Sequence, residues 1–453
     1  MCCAGMKCSP GKPKPLIQLM TSACILQMAS AFLHLKGGFS MLASLSLIFL
    51  AGLAMAALCQ LLKLPRIVGM LLTGIALGPY ALNLLSPSIL SISSELRQIA
   101  LIIILLKAGL SLDLTDLKKV GRPAVLLSFL PACCEILAFF LLAPRLLGIT
   151  RIEAAVMGAV LGAVSPAVVV PRMAMLMEQN YGTQKSIPQM IMAGASCDDV
   201  FVIVLFSTFM GMAQGGTAQA ADLLQIPVSI VLGVAMGAGA GYALSWFFES
   251  AYARKRCVRN SMKVVIVLGV ALLLMAVETW AEGIVSISGL LAVVSMACVL
   301  QLRSIPFVSK RLSEKFGKLW IAAEVLLFVL VGAAVDIRYA VGPQLLPALG
   351  MLLLALIFRS IGVCLCLIGT QLNQKERLFC VLAYSPKATV QAAIGSVPLA
   401  LGLPCGKLVL MVAVLAILIT APLGAASMDL SYRKLLSKEG ARLSEAASAP
   451  QPK

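Results

Sequence analysis

Charge is scarce in this chain: Asp, Glu, Lys and Arg make up 12% of its 453 residues, against about 25% in a soluble globular domain. That shortage excludes an ordinary cytosolic enzyme. Histidine occurs once and aromatic residues reach only 6%. The fourteen cysteines, among them Cys59, Cys133, Cys134, Cys197, Cys364 and Cys366, are scattered through apolar runs without metal-ligand spacing. They read as small buried hydrophobes, and the Cys2, Cys3, Cys8 cluster reads as part of a solvated tail. The opening stretch has three Lys and no Arg before Arg66, so no cleaved signal or transit peptide is expected there. What is abundant is apolar: 60% of the residues are hydrophobic. At about 20 residues per crossing, that is enough for a dozen or more transmembrane helices.

Cutting at polar clusters and at Gly and Pro gives apolar segments at 39–61, 66–81, 97–112, 123–144, 153–171, 187–212, 223–248, 261–277, 284–302, 318–335, 344–370, 377–402 and 407–427, numbered one to thirteen. A weaker stretch at 16–35, interrupted by Gln18, Gln27 and His34, would make fourteen. Loops after odd-numbered segments, with the C-terminal tail, carry 24 Lys and Arg, and loops after even-numbered segments carry 5. The positive-inside rule therefore puts the odd exits and the C-terminus in the cytoplasm. Lys7, Lys12 and Lys14 join that side only if 16–35 also crosses, which favours both termini cytoplasmic. Topology and anionic lipid account for the 36 basic residues against 19 acidic ones, so no nucleic-acid partner is needed.

The chain repeats itself. Segment five holds Ser165-Pro166 and segment twelve Ser385-Pro386. Segment three ends in Gly109 to Asp113 and segment ten in Gly332 to Asp336. Residue 385 less 165 is 220, and 332 less 109 is 223. Seven crossings separate the matched segments, an odd number, so equivalent helices run in opposite directions. An inverted repeat of this kind, segments one to six and eight to thirteen with seven as linker, belongs chiefly to secondary transporters. Proline inside a span frees a carbonyl, and free backbone at membrane depth persists only where it lines a cavity or is buried in protein. Two interrupted helices are thus expected at corresponding places, the first lined by Val164, Ser165 and Pro166 and the second by Thr389.

Only Lys107, Arg359 and Lys387 among the basic residues fall well inside spans, the others lying in loops, in the tails or within three residues of a span's start, and a central charge costs about 2.5 to 3.5 kcal/mol even on the lenient scale. Asp198 and Asp199 lie 11 to 12 residues into segment six, Glu135 12 into segment four, Arg359 15 into segment eleven and Lys387 10 into segment twelve, all near mid-membrane. A hard monovalent cation wants oxygen ligands, which carboxylates and freed carbonyls supply. Asp198 and Asp199 are therefore the candidate site for a monovalent cation and for the proton, and a carboxylate that binds either one exchanges them by competition. Arg359, Lys387 and Glu135 read as charge-compensating, with Glu135 a plausible counter-ion of Lys387 and Arg359 a fixed charge opposite the acid pair. Lys107 is expected to pair with Glu324 away from the ion site.

These motifs resemble the NHA branch of the monovalent cation:proton antiporters. Gly162 to Pro171 looks like that branch's first broken helix, Gly194 to Asp199 like its double-aspartate ion site, and Pro386 to Ser396 like its second broken helix. Similarity runs from about residue 40 to 430. The resemblance implies an all-α polytopic fold of about 13–14 transmembrane helices with two crossed broken helices, a homodimer, and a core moving as an elevator. Mapped here, 1–38 is a tail with an extra helix, 39–119 and 257–340 form the dimerisation domain, and 120–215 and 341–430 form the core. Residues 216–256 are the linker helix and 431–453 a cytoplasmic tail. It further implies Asp199 as main carrier, Asp198 as its companion and Glu135 with Lys387 as a core salt bridge. Arg359 stands where electrogenic members carry Lys. The expected activity is exchange of Na⁺ or Li⁺ for H⁺ at the plasma (inner) membrane, with no cofactor, no catalytic residue and membrane lipid as surroundings. A potassium/proton antiporter or a cation-coupled solute carrier is the closest alternative. A channel lacks a filter-like segment here, and a scaffold would not need five charges at one depth.

Overall fold

The computed structural model describes residues 40–62, 64–111, 121–214, 220–253, 259–281, 287–304, 306–337 and 342–438. Its helices are α1 (Met41–Leu61), α2 (Arg66–Leu77), α3 (Ser93–Ser111), α4 (Leu130–Leu147), α5 (Arg151–Leu161), α6 (Pro166–Glu178), α7 (Ile187–Gln214), α8 (Ala220–Ala253), α9 (Asn260–Ala281), α10 (Gly289–Arg303), α11 (Pro306–Ala333), α12 (Leu345–Cys366), α13 (Gln374–Ala383), α14 (Thr389–Ile394) and α15 (Gly406–Leu435). All thirteen expected segments coincide with one of these or with a broken pair. Among the described residues, nine helices, two of them continued across a short break, are long and apolar enough to cross a membrane, and α2, α10 and the stretch from Thr389 to Ala400 are shorter apolar ones. The 16–35 stretch, the Cys2, Cys3, Cys8 cluster and Asp113 lie outside the described residues.

Three boundaries differ from the sequence expectation, each because hydropathy cannot see a polar helical turn that continues an apolar one. α3 begins at Ser93, so Arg97, expected in a loop, is a buried helical residue donating to the Leu330 carbonyl at 3.4 Å. α11 starts at Pro306 and carries Lys310, Arg311, Lys315 and Lys318 on helical turns ahead of its apolar half. Lys263, counted with a loop, sits in the first turn of α9, buried, with its ammonium 5.1 Å from the Phe248 ring centroid.

The helices pack as two bodies. α11 packs on α1, α2 and α3, α1 packs on α2, α10 packs on α3, and α8 and α9 pack on α10. Gly237 lets α8 approach α10 closely, because a Cβ there would overlap the Ala292 carbonyl, the small-residue packing usual between membrane helices. In the second body α4 lies along α12 and α5, α7 along α5 and α6, and α13 and α14 against α15. Contacts between the bodies run through α7 with α8 and α10, α14 with α3 and α11, and α15 with α2.

A feature of the repeat missed in sequence reappears at the helix starts. α5 opens with a capping box, Thr150 with Glu153, and α13 with another, Asn373 with Glu376. Residue 373 less 150 is 223, the spacing of the repeat. Each box satisfies the first free N–H groups of its helix.

Candidate functional site

Both interruptions occur where the Ser-Pro pairs fall. α5 ends at Leu161 and α6 begins at Pro166. α13 ends at Ala383 and α14 begins at Thr389. Each gap frees carbonyls at a helix C-terminus and N–H groups near a helix N-terminus, and at membrane depth each needs a partner. The two breaks meet, with Ser165 N donating to the Pro386 carbonyl at 2.8 Å. Side chains satisfy the rest. Arg359 Nε donates to Tyr384 O at 2.6 Å and its NH1 to Gly162 O. Lys387 Nζ donates to Leu161 O at 2.5 Å, while its backbone N–H donates to Thr420 Oγ1 at 2.9 Å. Gln391 accepts from Ala388 N through Oε1 at 2.8 Å and donates through Nε2 to Ala163 O at 2.8 Å. Val164 N donates to Asp198 Oδ2 at 2.8 Å.

Charge follows the helix dipoles. The two cationic side chains occupy the C-terminal ends of α5 and α13, where exposed carbonyls favour positive charge, and the Asp198 carboxylate takes a freed N–H. The cations also share carboxylates. Arg359 lies 2.8 Å from Glu135 Oε2 and 3.2 Å from Asp198 Oδ2, and Lys387 lies 2.5 Å from the same Glu135 oxygen. Glu135, Asp198, Arg359 and Lys387 are all buried. The structure thus brings Glu135 and Lys387 together, and it modifies the expectation for Arg359, which bridges Glu135 to Asp198 and is not a contact of Asp199.

Asp199 faces elsewhere. With Pro166 and Thr389 it lines a cavity of about 980 Å³ that also takes in Arg66, Lys107, Arg172, Glu324 and Asp429. A second cavity, of about 410 Å³, is lined by Ser94, Arg97, Ser207, Gln214, Glu278 and Ser396. Along α7 the larger cavity reaches Met192 and Asp199 and the smaller one Phe206 to Gln214, so the two enter from opposite ends. Between them Leu101, Ile104, Leu105, Ile203, Val390 and Ile394 leave a void of about 10 Å³ beside Asp199. Glu324 pairs with Arg66 at 3.3 Å, a partner the sequence reading did not foresee, and Lys107 stands 5.8 Å from the Trp320 ring centroid.

Besides the Tyr384 hydroxyl, four buried oxygens near the breaks have no hydrogen-bond partner among the described residues: Asp198 Oδ1, Asp199 Oδ1, Ser165 Oγ and Thr389 Oγ1. They are a donor set suited to a small hard cation. Gln391, Thr420 and Tyr384 were missed from sequence. Gln391 alone carried a signal, an uncharged polar residue inside an otherwise small apolar helix.

A family model described as sodium/hydrogen exchanger, transmembrane, matches residues 45–428. The chain is 35% identical over 397 residues to the human sodium/hydrogen exchanger 9B2, covering 85% of this chain and 72% of that one. It is 32% identical over 421 residues to human sodium/hydrogen exchanger 9B1, covering 87% and 78%. In fold it is similar to the sodium proton antiporter MjNhaP1 from Methanocaldococcus jannaschii, with a TM-score of 0.73, 22% identity and coverage of 91% of this chain and 99% of that one.

Proposed function

The chain belongs to the sodium/hydrogen exchanger family and is an integral membrane cation/proton antiporter, and from that premise we propose that it exchanges Na⁺ or Li⁺ for protons at Asp198 and Asp199. The observation that carries this reading is that buried oxygens of Asp198, Asp199, Ser165 and Thr389, all near the two breaks, have no hydrogen-bond partner among the described residues, while Asp199 and Thr389 also line the larger cavity. Asp199 is the principal carrier: it reaches the cavity, no cationic side chain among the described residues forms an ion pair with it, and it binds a cation or a proton but not both. Asp198 is held by Val164 N and Arg359. It lends its second oxygen to the ion, and Arg359 balances its charge when the ion leaves.

Access alternates when the body of α4–α7 and α12–α15 moves as an elevator against the other, carrying the site past the apolar plug from one cavity to the other. Sparse packing between the bodies supports that motion. The larger cavity faces the cytoplasm under the positive-inside assignment, with both termini on that side of a plasma (inner) membrane. The outer body, residues 39–119 and 257–340, is the dimerisation surface of a homodimer in lipid. The test is proteoliposome flux under an imposed pH gradient with Na⁺, Li⁺ and K⁺ compared. Proton movement driven by Na⁺ or Li⁺ supports the reading, and movement driven by K⁺ alone replaces it with potassium/proton exchange.

A further inference from the structure

Tyr384 closes α13 with its side chain fully buried and, among the described residues, its hydroxyl without a hydrogen-bond partner. A buried hydroxyl left unpaired is unfavourable. Phenylalanine would fill the same space without that penalty. The residue touches both helices that carry the Arg359–Asp198 pair. Its carbonyl accepts from Arg359 Nε at 2.6 Å, and its ring lies under the guanidinium, 5.8 Å from carbon to centroid. Its hydroxyl lies over Gly194 of α7, where a Cβ would collide with Tyr384 Oη and stand 2.9 Å from Leu127 Cβ. Gly194 precedes Asp198 by about one helical turn, on the same side of α7. Mid-helix glycine is unfavourable relative to alanine, and here the missing side chain is the room the phenol occupies.

We propose that Tyr384, seated against Gly194, is a positioning residue that sets the separation of Arg359 from Asp198, and with it the share of Asp198 left to the transported cation. The inference rests on the cation/proton site proposed above. Arg359 reaches Asp198 at 3.2 Å, longer than its 2.8 Å bond to Glu135, so a displacement of α7 by a few tenths of an ångström decides whether the guanidinium holds Asp198 or releases it. The Tyr384 carbonyl fixes one side of that gap. The hydroxyl stops α7 on the other.

The sign of the effect follows. A methyl at position 194 pushes α7 off Tyr384 and lengthens the Arg359–Asp198 contact. Removing a nearby positive charge leaves a carboxylate freer for a cation and more ready to take a proton. Gly194→Ala, Tyr384→Phe and the double variant are compared in proteoliposomes by Na⁺-driven proton flux, reading KM, maximal rate and pH profile. Gly194→Ala is expected to lower the KM for Na⁺ at alkaline pH by about threefold, some 0.6 kcal/mol, and to move the acid side of the profile to higher pH. Phenylalanine at 384 lacks the atom the methyl meets, so the double variant returns toward native values. Leu127 crowds the methyl equally in both backgrounds, so only the difference between them reports Tyr384. A shift of the same size in both backgrounds overturns the proposal, as does altered thermal stability with native KM and pH profile. Should Gly194→Ala fail to reach the membrane, Tyr384→Leu, which withdraws ring and hydroxyl together and lets α7 close toward Arg359, is expected to shift KM and pH profile in the opposite direction, and native values there overturn the proposal. Asp199→Asn, run alongside, separates the two readings: retained Na⁺-driven flux there rejects the site itself, whereas its loss combined with unshifted Gly194 and Tyr384 variants rejects only the positioning role.

Discussion

Glu135 and Arg359 stand at equivalent points of the two halves, 224 residues apart by subtraction, and meet as an ion pair at 2.8 Å. Their helices, α4 and α12, are the corresponding members of the repeat and lie along each other. The inverted repeat therefore brings two equivalent positions face to face and gives them opposite charge. Lys387 reaches the same Glu135 oxygen, so a single carboxylate compensates two buried cations.

That sharing makes the three charges unequal. Glu135→Gln leaves both Arg359 and Lys387 without their common partner and should lower stability by about 3 to 5 kcal/mol, as for a broken buried pair. Lys387→Met leaves Glu135 paired with Arg359 and should lose less. Thermal melts in detergent check the order. A double-mutant cycle without coupling between 135 and 387 would contradict the pairing.

Gln391 satisfies backbone at both breaks at once. Gln391→Leu strands Ala388 N and Ala163 O, at about 1 to 3 kcal/mol for each buried group left unpaired. A Leu variant as stable as native would show that these backbone groups find other partners.

Much of this was legible in sequence because membrane physics is restrictive. A charge at mid-span is rare enough that Glu135, Asp198, Asp199, Arg359 and Lys387 stood out singly, and the Ser-Pro pairs marked both breaks. The Glu135–Lys387 pair was legible too, and what stayed hidden was the rest of the pairing. Arg359 reaching both Glu135 and Asp198, and Arg66 reaching Glu324, depend on how helices far apart in sequence lie together. Gln391, Thr420 and Tyr384 act on backbone groups that exist only once the helices are broken. The helical starts of α3 and α11 were lost because polar turns carry no hydropathy signal.

Competition at one carboxylate fixes a pH dependence. A protonated acid cannot take the cation, so the KM for Na⁺ should rise as pH falls, by about tenfold per unit once the proton-bound form dominates and one proton excludes one cation. Maximal rate at saturating Na⁺ should change far less. Flux at several pH values checks this, and a KM constant across pH would contradict direct competition.

Arg359 bears on charge balance. An arginine keeps its proton, so protons travel on carboxylates, and one cation for one proton without net charge is the expected exchange. Arg359→Lys introduces a group able to lose its proton when buried and should make flux follow membrane voltage. Rates with the potential clamped at zero and at a large negative value decide it. A native protein that follows voltage contradicts electroneutral exchange, and identical responses from native and variant remove position 359 from proton carriage.

The most direct measurement is Na⁺-driven dissipation of a pH gradient by Asp199→Asn in proteoliposomes, with protein amount and thermal stability matched to native. The amide keeps the shape of the carboxylate but cannot exchange a proton. Dissipation should fall to the level of empty vesicles for Na⁺ and Li⁺ alike, whereas dissipation near the native rate would show that the exchanged proton is carried somewhere other than Asp199.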